Sequence, residues 1–248
     1  MVKTNWKIWN KNYKVENRTF DRALKKLPEM ESAKQLKYLI SKIYKKNMKI
    51  LDVGCAAGHY YHSLKKINNN INYIGIDSTK KYIKFAKKNF KKNKNTSFHC
   101  EDIFKIKKKH FKKYDITFCC NVLLHLPNID LPLKNLIRTS KKFCFVRTLV
   151  SDNTHLSKFL YDDQFKQNSP LNYVYQNTYS YNYIKRLIKR LGNHKVEFIE
   201  DNFKYKNLNA EYKKYEKKQQ GVTQVFNKKL QISGSKVYQW KWIKITLR

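Results

Sequence analysis

Ile50-Leu51-Asp52-Val53-Gly54-Cys55-Ala56-Ala57-Gly58 is the stretch whose reading decides the fold. Four residues of an apolar strand carry an acid near their end. A loop of small residues follows, and Tyr60 to Ile67 can continue as a helix. Small residues let backbone N–H groups come close to a ligand. An anionic group near a helix start also meets the partial positive charge there. Two familiar loops are excluded. The dinucleotide pattern G-x-G-x-x-G fails from Gly54, because Ala56 and His59 stand where glycines are needed, and from Gly58, because Tyr60 does. A phosphate loop fails for want of a following Gly-Lys-Ser/Thr.

The same strand-then-acid pattern recurs downstream. Tyr73-Ile74-Gly75-Ile76-Asp77 ends in an acid about 20 residues past the loop, where a carboxylate can accept from ribose hydroxyls. Phe98-His99-Cys100-Glu101-Asp102-Ile103 places a third carboxylate, followed by an apolar residue that can flank a base. Tyr114-Asp115-Ile116-Thr117-Phe118-Cys119-Cys120-Asn121 is a buried strand ending in an amide, continued by Val122-Leu123-Leu124-His125-Leu126-Pro127. Periodicity predicts strands at Lys49–Val53, Ile71–Ile76, Thr96–Cys100, Tyr114–Cys120 and Phe143–Val150. It predicts helices at Lys80–Phe90, capped by Ser78 or Thr79, and at Leu133–Thr139. Such alternation implies a parallel sheet covered by helices on both faces. Ligands then bind beyond the carboxyl ends of the strands, which directs attention to Asp52, Gly54, Asp77, Asp102, Asn121 and Arg147.

The flanks are less regular. Residues 1–46 read as a helical cap, with Leu24, Leu27, Ala33, Leu36, Leu39, Ile40 and Ile43 at helical spacing, a break at Pro28, and Trp6, Trp9 and Tyr13 in front. Residues 47–248 follow as one unit. Within it, 151–178 reads as a lid-like loop insertion over the site, and 201–235 as a long Lys-rich insertion. Tyr181–Leu191 is a predicted helix ended by Gly192; Lys195–Ile199 and Lys236–Leu247 are the last predicted strands.

Length and composition narrow the class. A chain of 248 residues buries a core without disulfides or structural metal. Its five cysteines match no zinc spacing, and Cys100, Cys119, Cys120 and Cys144 sit in apolar runs, as in a reduced, cytoplasmic protein. No apolar run is long enough to span a membrane, and the first residues lack a signal-peptide core. The net charge of +36 leaves two readings open. It can mark a polyanion partner. The excess is Lys (47, against 7 Arg), however, beside abundant Asn, Ile, Tyr and Phe, as an AT-rich coding sequence produces. Nucleic-acid sites favour Arg for its bidentate contacts.

Taken together, the motifs resemble those of the class I S-adenosylmethionine-dependent methyltransferases. The resemblance covers residues 48–150 well and 180–248 in outline. LDVGCAAG is similar to the family's first motif, YIGID to its second, EDI to its third and YDITFCCNVLLHLP to its fourth; Ala56 departs from the usual middle glycine. The resemblance implies a three-layer, Rossmann-like α/β fold. Its seven-stranded, mostly parallel sheet would run 3-2-1-4-5-7-6, with strand 7 antiparallel. It also implies S-adenosylmethionine as cofactor, with Asp52 and the loop Gly54, Cys55, Ala56 and Gly58 at the methionine end. Asp77 would take the ribose hydroxyls, with Ser78 also at the cofactor, Asp102 and Ile103 would take the adenine, and Asn121 would lie beneath the sulfonium.

The acceptor is read from weaker signs. His125, just past the fourth strand, is the candidate general base, because imidazole titrates near neutrality. Tyr60, Tyr61, Tyr161, His155 and Arg147 are candidate acceptor-pocket residues, Arg147 for a carboxylate or phosphate. No metal site is expected. Asn121-Val122-Leu123-Leu124 lacks the D/N-P-P-Y/F motif of base amino-methyltransferases, and neither Cys119 nor Cys120 precedes proline as a cytosine-C5 nucleophile does. The expectation is O- or N-methylation of a small molecule or sugar precursor. An RNA methyltransferase using the basic surface, and a non-catalytic cofactor- or nucleic-acid-binding module, remain the alternatives.

Overall fold

Strand periodicity explains the layering. In β1 (Lys49–Val53), Ile50 faces one side of the sheet while Leu51 and Val53 face the other, and all are buried. The computed structural model describes residues 7–8, 13–160, 162–203, 224–226, 230–233 and 236–248. Its further strands are β2 (Asn72–Asp77), β3 (Thr96–Cys100), β4 (Tyr114–Cys120), β5 (Ser140–Ser151), β6 (Lys158–Leu160), β7 (Phe165–Lys166), β8 (Ser169–Pro170), β9 (Tyr173–Tyr175), β10 (Tyr179–Ser180), β11 (Lys195–Glu200), β12 (Gln224–Phe226), β13 (Leu230–Ser233), β14 (Lys236–Tyr238) and β15 (Trp240–Thr246). The helices are α1 (Tyr13–Ala23), α2 (Glu31–Ser41), α3 (Tyr60–Leu64), α4 (Lys80–Asn89), α5 (Asp130–Thr139) and α6 (Tyr181–Leu191).

The main sheet runs β11-β15-β5-β4-β1-β2-β3. β15 runs antiparallel to both of its neighbours, β5 and β11, and β1 to β5 are mutually parallel. This is the order 3-2-1-4-5-7-6, with β15 as the seventh strand and β11 as the sixth. The short β10 adds an eighth, paired to the end of β5. On one face Leu51, Val53, Ile76 and Val146 pack with Leu133 and Leu136 of α5 and Ile184 and Ile188 of α6. On the other, Ile50, Tyr73, Phe118 and Trp242 pack with Leu36 and Ile40 of α2, Leu64 of α3 and Ile83 and Ala86 of α4. Trp242 Nε1–H donates to Gln35 Oε1 at 3.0 Å, tying β15 to α2.

Three local expectations are corrected. The first helix spans Tyr13–Ala23, so Leu24 is exposed and Leu27 is buried in the link to α2; Lys25, at φ +61°, turns the chain between them. The segment 151–178 is not a loop. It folds as antiparallel hairpins, β6 with β9 and β7 with β8. The last strand is interrupted at Gln239: β14 joins β12 and β13 in a separate sheet, while β15 completes the main one. Gln239 C=O accepts from Val150 N–H at 3.0 Å. Trp6, Trp9, Tyr161 and most of 201–235 lie outside the described residues. Among the described residues, no helix is long and apolar enough to cross a membrane.

Candidate cofactor and acceptor site

The loop after β1 is built by its own backbone. Gly54 takes φ +79°, a left-handed turn that places a missing side chain against the fourth motif: a Cβ there would lie 2.3 Å from Val122 Cγ2. The N–H groups of Gly54 and Cys55 both donate to Ile76 C=O (2.8 and 3.0 Å). Ala56, at φ +47°, donates its N–H to Asp77 Oδ2 at 3.0 Å. Gly58 N–H donates to Cys55 C=O, and a Cβ on Gly58 would lie 2.7 Å from the Phe98 ring. Cys55 turns its buried thiol toward Gly75. These N–H groups thus all have acceptors within the protein. The donors at 54, 55, 56 and 58 shape the loop, and Gly58 is small because aromatic rings of the core lie beneath it.

The three strand-end carboxylates differ in environment. Asp52 is buried (1 % exposed) and accepts from Tyr73 Oη at 2.5 Å. Burial pushes its pKa up to about 8, the Tyr73 hydrogen bond opposes this, and the charge of Asp77 adds to it. Asp52 thus forms the floor under the loop. Asp77 bridges loop and sheet: Oδ2 accepts from Ala56 N–H and Oδ1 from Thr79 N–H at 2.8 Å. Burial raises its pKa, against the pull of those two donors. Asp102 caps the next turn, accepting from Phe104 N–H at 3.0 Å, and its other oxygen takes the Lys7 ammonium at 2.6 Å. Burial alone would raise its pKa, but Lys7 and Phe104 bring it below the usual range. Ile103 is buried beside it, and Ser78 is exposed.

At the end of β4 a second network appears. Asn121 adopts φ +60°, and its Oδ1 accepts from Arg147 Nη1 at 2.5 Å. The remaining guanidinium edge makes a bidentate pair with Asp201, Nε to Oδ1 at 2.9 Å and Nη2 to Oδ2 at 2.8 Å, 4.1 Å from the centre of the Trp240 ring. The structure thus engages Arg147 with protein partners rather than presenting it to an acceptor anion. Tyr60 is buried on the same face, its hydroxyl 2.8 Å from Ser32 Oγ. Tyr61 points elsewhere. It donates to Asn93 Oδ1 and lines a separate cavity of about 280 Å³ with Ala23, His62, Lys65 and Phe90.

His125 Nδ1–H donates to Tyr175 C=O at 2.7 Å. Around it Asn177 N–H donates to Leu124 C=O, and Asn177 Nδ2 to Leu126 C=O, both at 2.9 Å. These bonds fasten the hairpin segment to the fourth motif. His155 is exposed and paired through its backbone to Thr178. Sequence reading missed Asp201, Trp240, Val122, Tyr73 and Lys7. Asp201 alone carried a signal, since it lies at the carboxyl end of a strand, as the other three acids do at or near theirs.

These environments set a pH dependence of stability. Burial lowers His125 to about 4 and His59 to about 3 from an ordinary 6.5. Between pH 6.5 and 4 the unfolded chain therefore takes up protons that the folded chain refuses, and stability falls as pH drops. Asp52 acts oppositely. Its folded value of about 8 lies above the unfolded 3.8, so its contribution is lost as pH rises toward 8. We expect maximal denaturant stability near pH 6.5–7, measured by urea midpoints across pH 4–9, and a flattened alkaline limb in Asp52→Asn.

The residues fit an adenosyl cofactor on this geometry. Asp77 accepts from the Ala56 N–H, the Thr79 N–H and the Thr79 side chain, which leaves it acceptor capacity for a ligand hydroxyl, and the glycine at 54 lets the fourth motif close against the loop. A family model described as a methyltransferase domain matches residues 44–241. The chain belongs to the class I S-adenosylmethionine-dependent methyltransferases. S-adenosylmethionine is that family's cofactor. The ubiquinone biosynthesis O-methyltransferase of Coxiella burnetii is 31 % identical over 115 residues, 45 % of this chain and 48 % of that one. The chain thus spans about half the length of the curated relatives it matches. Among solved structures, the magnesium protoporphyrin IX methyltransferase of Synechocystis PCC 6803 with bound SAM aligns at a TM-score of 0.52 and 12 % identity, covering 88 % of this chain and 78 % of that one. The [4+2]-cyclase SpnF aligns at 0.54 and 13 %, covering 87 % and 80 %. At such identities both share the methyltransferase fold with this chain, and the cyclase is a reminder that fold alone does not select a reaction.

Proposed function

We propose that this methyltransferase-family chain methylates an oxygen of a small hydroxylated acceptor. The observation that carries the reading is Asp77, a carboxylate at the end of β2 that joins the first-motif loop to the sheet, between Asp52 near the end of β1 and Asp102 just past β3. When bound, S-adenosylmethionine supplies a methyl group already activated by its sulfonium. Asp77 accepts the ribose hydroxyls, Asp102 and Ile103 take the adenine side, and Asn121 and Val122 wall the sulfonium end. Helices α1 and α2 and the hairpins β6–β9 would cover the acceptor and exclude water. His125 is the proposed base. The Tyr175 carbonyl accepts from Nδ1–H and orients the ring, and burial, which lowers its pKa to about 4, keeps it neutral at pH 7 while making it a weak base. The likeness to an O-methyltransferase supports an oxygen acceptor.

The test has two parts. Calorimetry with S-adenosylmethionine should give one-to-one binding. Methyl-labelled S-adenosylmethionine with a panel of phenols, catechols and sugars should then give labelled product from at least one. His125→Ala should lower that turnover about 100-fold while holding cofactor affinity within about threefold. Wild-type turnover in the variant would return His125 to fastening the hairpin alone.

A second reading, RNA methylation, draws on one feature. Lys80–Lys94 holds eight lysines and Lys105–Lys113 six, with no acid in either, and both segments flank β3. It predicts RNA binding that weakens steeply with salt. Basic side chains also crowd α6 at the other flank (Lys185, Arg186, Lys189 and Arg190), which favours a surface-wide bias.

A further inference from the structure

The fourth motif carries a charge arrangement that the methyl-transfer reading does not require. Arg147 lies opposite Cys120 in the β4–β5 register, and its C=O accepts the Asn121 N–H at 3.0 Å. Its side chain shares a sheet face with Tyr60 and Cys120, both close enough to interact with its charge. A guanidinium beside a pocket for a sulfonium would repel that cation. Asp201 answers this. Its carboxylate is 3 % exposed, meets the guanidinium edge-on through two hydrogen bonds, and leaves only Nη1 directed at Asn121. The Trp240 ring lies against the guanidinium, 4.1 Å from ring centre to Cζ. A Lys at 147 could not make both contacts, because its point charge lacks the planar fork.

We infer that Asp201 is a positioning residue for the cofactor site: it neutralises Arg147 beneath the cationic end of the pocket and, through Arg147, fixes the Asn121 amide there. The inference rests on the proposed cofactor site. It makes a prediction that a merely structural ion pair does not, because S-adenosylmethionine and S-adenosylhomocysteine differ in charge at sulfur. Damage to the fold weakens both ligands alike. An uncompensated guanidinium weakens only the cation.

The experiment is calorimetry of both ligands on wild type, Asp201→Asn, Arg147→Met and the double variant Arg147→Met/Asp201→Leu. In Asp201→Asn, affinity for S-adenosylmethionine should fall about tenfold relative to S-adenosylhomocysteine, the effect of one unpaired charge at a protein-like dielectric. Arg147→Met should move the ratio the other way, and the double variant should return it to within about twofold of wild type. Breaking a buried pair is costly. If Asp201→Asn does not fold, the Arg147→Met and double-variant ratios still decide. A ratio unmoved in the folded variants overturns the inference and leaves the cofactor site standing. Wild type that binds neither ligand overturns the site and the inference with it.

Discussion

Asp77→Ala should lower the affinity for S-adenosylmethionine at least about 100-fold. Two effects combine. The carboxylate would accept from ribose hydroxyls, and each charge-assisted hydrogen bond lost is worth about 1.5–3 kcal/mol. It also holds the loop, because Ala56 sits at φ +47° with its N–H on Oδ2. Without that acceptor the loop loses the bond that keeps a non-glycine residue in a left-handed turn. Asp77→Asn should fall between the two. It keeps one acceptor oxygen but turns an amide N–H₂ toward either the Ala56 or the Thr79 N–H. Stability should also fall, because the Ala56 and Thr79 donors lose their acceptor, so affinity is compared in protein shown to be folded. Calorimetry beside circular dichroism checks this. Unchanged affinity in a folded Asp77→Ala protein would remove Asp77 from the site.

Gly54→Ala should destabilise the protein by about 2–5 kcal/mol. A left-handed φ costs an L-residue about 1–2 kcal/mol, and overpacking adds about 1–3 kcal/mol. The clash is specific, because the new Cβ would meet Val122 Cγ2 at 2.3 Å while φ stays at +79°. Thermal unfolding should therefore drop by about 10 °C. Adding Val122→Ala should recover the steric part and leave the backbone part, a positive coupling in a double-mutant cycle. Strict additivity would mean that the loop and the fourth motif do not press on each other.

The strands read from sequence were those whose pattern is local. Lys49–Val53, Thr96–Cys100, Tyr114–Cys120 and helix Tyr181–Leu191 have the predicted bounds. Parallel strands buried on both faces are continuous apolar runs, and turn residues punctuate them. The hairpins in 158–175 were illegible for the opposite reason. Their strands are two or three residues long, and only Tyr173 among them is buried, too little to impose alternation. The first helix was misplaced because Leu24 and Leu27 keep helical spacing across a turn that Lys25 makes.

The site divides the same way. Which strand ends carry Asp52, Asp77, Asp102 and Asn121 follows from the chain alone, because a parallel α/β sheet brings every strand's carboxyl end to one edge. What each group does there depends on partners that no local pattern announces. Arg147 meets Asp201 across 54 positions, His125 meets the Tyr175 carbonyl across 50, and Lys7 meets Asp102 across 95. Asp52 becomes a buried carboxyl with a pKa near 8 only because tertiary packing removes water and supplies Tyr73. By itself the sequence determined the fold and the order of the acids, since hydrophobic periodicity acts over a few residues at a time. Tertiary structure alone decided which charges are paired and which donors are already used, since desolvation and hydrogen bonding depend on what lies within a few ångströms, however distant along the chain.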